Sequence, residues 1–173
     1  MRHWIPVLLP SLIAALFSQQ AAAADLTIKV NVPQINASEY HRPYVAVWIE
    51  RADQSIAQNI ALWYSQKSGA EGPGTKWLKD LRQWWRKGGR EAQVPLDGIS
   101  GATRPVGEHS INVNSQTLAS LPQGEYRVVV EAAREKGGHE LVRIPFNLPA
   151  TKTDTQKASG SEELGAVSLD IKP

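Results

Sequence analysis

Leu26, Ile28, Val30 and Val32 alternate with Thr27, Lys29 and Asn31, so every apolar side chain of this stretch falls on one face of an extended strand. Residues 43–50 (PYVAVWIE) are apolar on both faces and residues 58–65 (QNIALWYS) nearly so, which suits paired central strands covered on both sides. Downstream, HSINVN, GEYRVVVEAARE, HELVRIPFNLP and GAVSLDIKP carry the same strand signature, and Gly137–Gly138 between the two longest predicts a hairpin. The expected fold is all-β: an immunoglobulin-like antiparallel β-sandwich of about seven strands. Residues 150–165 (ATKTDTQKASGSEELG) lack periodicity and are expected to form a long mobile loop between the last two strands.

One segment breaks the pattern. In TKWLKDLRQWWRKGG, Trp77, Leu78, Leu81, Trp84 and Trp85 make one stripe at the helical period, which predicts an inserted amphipathic helix with Thr75 as N-cap and Gly88 as its stop. Lys76, Lys79, Arg82, Arg86 and Lys87 take the other faces. Such a helix packs its indoles on the sheet, and three of them also suggest a docking platform.

The first residues set the compartment. Arg2 and His3 precede the apolar run IPVLLPSLIAALF and the small-residue stretch QQAAAAD, the layout of a secretory signal peptide cleaved near Ala24. Residues 25–173 would then form a single domain in the periplasm, not membrane-spanning once the leader is removed. The chain has no cysteine, which excludes a disulfide framework, thiolate catalysis and Cys-based metal sites. Redox chemistry would need a borrowed cofactor. With Arg2 removed the chain is close to neutral, so nothing in its charge points to nucleic acid.

The segment LDGISGATRPVGEH holds the densest chemistry. Asp97-Gly98-Ile99-Ser100-Gly101-Ala102-Thr103 fits Asp-x-x-(Ser/Thr)-Gly-Ala-(Ser/Thr), a string expected by chance in on the order of one chain per thousand of this length. It resembles the acceptor motif on which flavin transferases attach FMN through a phosphoester, as in the FMN-bearing subunits of sodium-pumping quinone reductases. The resemblance implies that Thr103 takes the FMN covalently, with Asp97, Ser100, Gly101 and Ala102 as recognition determinants. Those subunits continue with small hydroxyl residues, whereas Arg104-Pro105 follows here. Arg104 and His109 are close enough in sequence to serve the flavin or its phosphate. An acceptor segment must enter another enzyme's site, and Gly101 and Ala102 remove bulk just before the hydroxyl.

RPYVAVWIE, DGISGATRPVGEHSINV and GEYRVVVEAAREKGGHELVRIPF also resemble a family of uncharacterised predicted periplasmic proteins, a domain of unknown function. That likeness implies company with flavin transferases and PepSY-type membrane reductases. The protein would be an electron carrier and a transferase substrate, not itself an enzyme. The alternative is a non-redox binding or assembly module that uses Trp48, Trp63, Trp84 and Trp85 as an exposed aromatic surface. Consecutive turns around Gly98 and Gly101 would account for the loop in that case. Ser100 as a hydrolase nucleophile fails because Ala102 stands where Gly-x-Ser-x-Gly needs glycine. His41, His109 and His139 have no paired ligand spacing, so no metal site is expected. Glu50 reads as a charged strand end, and Glu162 and Glu163 fall in the expected loop.

Overall fold

The computed structural model describes residues 24–69 and 72–173; the expected signal peptide, Ala24 apart, lies outside them. In chain order the strands are β1 (Asp25–Val32), β2 (Tyr44–Arg51), β3 (Ile56–Tyr64), the two-residue β4 (Ser68–Gly69) and β5 (Gly72–Pro73), β6 (Ser100–Ala102), β7 (Gly107–Val113), β8 (Gly124–Ala133), β9 (His139–Leu148), β10 (Asp154–Ser159) and β11 (Ala166–Lys172). A four-stranded sheet, β10-β11-β1-β7, faces a five-stranded one, β6-β3-β2-β8-β9, and β4 with β5 forms a separate ribbon. This is the expected all-β sandwich, with more strands than the expected seven. One pairing is parallel, that of β6 with β3.

The two sheets differ in how many faces they bury. β1 buries every second residue, so Leu26, Ile28, Val30 and Val32 point inward while Thr27, Lys29 and Asn31 face out. They meet Val45, Val47 and Ile49 of β2, Val128 and Val130 of β8 and Ile144 of β9 in the inter-sheet core. The five-stranded sheet is covered on its outer face too, where Ala46, Trp48, Leu62 and Val129 pack under Leu78, Leu81 and Trp84. That explains why β2 is apolar on both faces.

The covering segment is not the continuous helix its periodicity predicts. It is a 3-10 helix (Gly74–Asp80), a single α-turn (Arg82–Trp84) and a π-type turn (Trp85–Gly89), with Leu81 outside helical geometry at φ −74°, ψ 73°. Thr75 makes no cap; Pro73 occupies the N-cap position. The interruption has a cause in the sheet. Glu131 of β8, fully buried, accepts hydrogen bonds from the backbone N–H groups of Gln83 and Trp84 at 2.8 Å each, satisfying donors that open the second turn.

The expected loop at 150–165 is largely ordered by pairing. β10 lies along β11 in antiparallel register from Asp154↔Ile171 to Ser159↔Ala166. The turn that follows is held by Glu140, whose carboxylate accepts from the N–H groups of Ser161, Glu162, Glu163 and Leu164 and from the Ser161 hydroxyl, at 2.6–3.1 Å. Glu163 is buried and takes both Nε and Nη2 of Arg134, at 2.9 and 3.1 Å.

Candidate functional site

The chain returns from the covering segment to the sheet at Leu96. Gly98, at φ 66°, takes the left-handed conformation that glycine adopts without steric cost, and the turn closes as the Ser100 N–H donates to the Leu96 carbonyl at 2.9 Å. The Ser100 hydroxyl accepts the Leu96 N–H at 2.8 Å, which staples the turn. Ile99 then accepts the Leu62 N–H at 3.0 Å, and Ser100, Gly101 and Ala102 run parallel to Leu62, Trp63 and Tyr64 as the edge strand β6. Asp97 and Ala102 are exposed, Thr103 is half-buried, and residues 103–106 cross from one sheet to the other.

Arg104 and His109 gather on Trp63. The Arg104 guanidinium lies 5.2 Å from the indole centroid, and the His109 ring meets the indole edge-on at 5.8 Å. His109 Nε2 donates to the Pro105 carbonyl at 2.8 Å, which pins the crossing loop. Neither side chain lines the cleft onto which Thr103 opens.

That cleft has a volume of about 460 Å³, and Thr103 shares its walls with Tyr40, Arg42, Tyr44, Lys67 and Trp77. Gly74 makes its geometry possible: a methyl group there would lie 2.0 Å from the Ser65 carbonyl oxygen, so only glycine lets the 3-10 helix begin against the end of β3. The Tyr44 hydroxyl donates to the Gly74 carbonyl at 3.0 Å, and burial pushes the Tyr44 phenol up from its ordinary range. Trp77 is half-buried, with the Lys76 ammonium 4.6 Å from its ring centroid. Glu39 accepts from Lys136 at 2.8 Å and is bonded to His41 at 3.0 Å, contacts that hold its carboxyl below the usual range. His41 Nδ1 also stands 3.6 Å from Glu135. Arg42 and Lys67, which also line the cleft, have no carboxylate partner among the described residues. Finally, the Tyr40 hydroxyl is buried and makes no hydrogen bond there.

Sequence reasoning isolated Thr103 and singled out Trp77 only as part of a helix. It missed Tyr40, Arg42, Tyr44 and Lys67; the clustering of aromatic and basic types in EYHRPY was the available signal. The aromatic surface proposed as the alternative is not there. Trp48, Trp63 and Trp84 are 0%, 4% and 1% exposed, and Trp84 donates its indole N–H to Asn59 at 2.9 Å. Glu50 is no exposed strand end: it is fully buried, with Lys87 at 3.4 Å and Arg143 at 3.5 Å. His139 is engaged by Glu131 at 2.5 Å.

No helix among the described residues is long and apolar enough to cross a membrane. No curated protein and no solved structure matches this chain. A family model described as "Predicted periplasmic protein (DUF2271)" matches residues 25–166, nearly all of the sandwich, and the chain therefore belongs to this family of periplasmic proteins of unknown function.

Proposed function

We propose that this periplasmic protein is an electron carrier whose FMN is joined to the Thr103 hydroxyl by a flavin transferase. The observation that carries the reading is the position of Thr103, at the end of a three-residue edge strand and on the wall of a cleft with aromatic and cationic sides. An edge strand is the part of a sheet that another protein can reach and draw into its own site. Gly101 supports the same view. Its φ lies outside the left-handed region and a methyl group there would come no nearer than 3.6 Å to Trp63, so the fold leaves room for a side chain the sequence omits. A transferase that threads the segment is a reason to omit it.

Thr103 attacks the flavin-side phosphorus of FAD. A P–O bond to the threonine forms, the pyrophosphate P–O bond breaks, AMP departs, and the hydroxyl proton passes to the transferase's base. Once attached, FMN supplies one- and two-electron chemistry that no residue of this cysteine-free chain provides. The chain's part is to hold it: the Tyr44 and Trp77 rings form apolar walls, and Arg42 and Lys67 offer positive charge to a phosphate. Electrons would come from a PepSY-type membrane reductase or another redox partner.

The deciding experiment is the intact mass and denatured-gel flavin fluorescence of protein co-expressed in the periplasm with a flavin transferase. A gain of FMN less one water, absent in Thr103→Val, is expected. Unmodified protein beside a competent transferase would refute the reading.

A further inference from the structure

The cleft beside Thr103 carries more than an attachment point. We infer that it is a binding site for flavin mononucleotide in its own right, able to hold the free nucleotide without the covalent bond. The choice of ligand rests on the carrier reading above; the features of the site do not.

Three of those features point to one ligand chemistry. The first is charge. Lys136 is paired with Glu39 and Glu135 stands 3.6 Å from the His41 ring, while Arg42 and Lys67 line the cleft without a carboxylate partner among the described residues. An arginine fork and an ammonium lining one cleft can together receive a phosphate dianion. The second is shape. Two aromatic walls, Trp77 and Tyr44, line a cleft of about 460 Å³, inside the roughly 300–1,000 Å³ span of small-molecule sites, and the Tyr44 ring is anchored through its hydroxyl to Gly74. Flat heteroaromatic rings are held by such walls. The third is an unmet polar group. Tyr40 lines the cleft and its buried hydroxyl has no partner among the described residues, an unmet donor that a ring edge bearing carbonyl and nitrogen acceptors satisfies after a small adjustment. The site therefore takes a planar, acceptor-rich ring carrying a phosphate.

The residues divide into two functions. Arg42 and Lys67 engage the phosphate, and Trp77, Tyr44 and Tyr40 engage the ring. Arg104 and His109, turned onto Trp63, take no part in either.

The test uses Thr103→Val protein, which cannot be loaded covalently, titrated with FMN and with riboflavin while tryptophan and flavin fluorescence are followed. FMN is expected to bind about ten- to a hundredfold more tightly than riboflavin, the worth of one or two charge-assisted hydrogen bonds. Arg42→Gln combined with Lys67→Gln should erase that ratio and leave riboflavin binding in place. Trp77→Leu should weaken both ligands together, with circular dichroism confirming an intact sandwich. Equal affinities for FMN and riboflavin, or FMN affinity indifferent to Trp77→Leu, would overturn the assignment. So would the absence of binding to Thr103→Val, even if wild-type protein gains the mass of attached FMN. Tight, phosphate-dependent binding without any covalent mass gain would sink the carrier reading alone and leave the site standing.

Discussion

A methyl group added at Gly89 would lie 2.5 Å from the Trp84 ring, whereas one added at Gly101 would meet nothing closer than 3.6 Å. The two glycines answer to different demands. Gly89 lets the covering segment close over a buried indole, so Gly89→Ala forces Trp84 or the backbone to shift, at about 1–3 kcal/mol. Gly101→Ala should leave stability within about 0.5 kcal/mol of wild type. Urea unfolding followed by tryptophan fluorescence measures both. The carrier reading adds a separate expectation, that Gly101→Ala folds normally yet loses most of its FMN loading when co-expressed with a transferase. Full loading of that variant would show that the glycine is not a recognition determinant. The motif residues were legible in the sequence because their spacing is local. Their neighbours were not: Arg42 and Lys67 are 61 and 36 residues away from Thr103 along the chain and reach the same cleft only through β2 and β3.

The covering segment shows how an element can take its shape from its surroundings. Its apolar period is helical, but its middle is fastened to a carboxylate of the sheet: Glu131 accepts two backbone N–H groups and the His139 ring. Removing the carboxylate leaves buried donors unsatisfied, so Glu131→Ala should cost about 3–5 kcal/mol and Glu131→Gln less. Hydrogen exchange should then rise over residues 82–89 before it rises in β8. Uniform loss of protection in both would mean that the segment has no separate stability. The edge strands make the complementary point. β10 contains only Ala158 as an apolar residue and β6 is three residues long, so neither carries a readable period. Each exists because a neighbouring strand offers unpaired backbone groups, β11 in one case and the end of β3 in the other.

At the scale of the whole molecule the carboxylates set the response to acid. Among the described residues four have pKa values lowered in the fold: Glu39 by hydrogen bonds from Lys136 and His41, Asp53 by the hydroxyl and N–H of Ser55, and Asp170 by the Thr155 hydroxyl. In Glu140, burial raises the value but the four N–H groups and hydroxyl of the 161–164 turn outweigh it. A carboxylate with a lowered folded pKa stabilises above its unfolded value and loses that contribution as pH falls through the folded one. The sandwich should therefore melt at a lower temperature at about pH 3 than at about pH 7. Glu140→Gln should lower Tm at neutral pH and converge on wild type in acid, with calorimetry across pH as the check; a constant gap at every pH would mean that the charge contributes nothing. The sequence by itself determined the class of the fold, since alternating apolar residues in β1 and doubly apolar β2 demand stacked, covered sheets, and it determined the acceptor-like motif, which is contiguous. Only the tertiary structure decided that the indoles are core, that the supposed loop adds an edge strand, and that Thr103 opens onto Tyr40, Tyr44, Arg42 and Trp77. The physical reason is range: periodicity reports which face of a segment avoids water, whereas pairing of exposed backbone, capping by a distant carboxylate and convergence on a cleft depend on residues that meet only once the sheets have stacked.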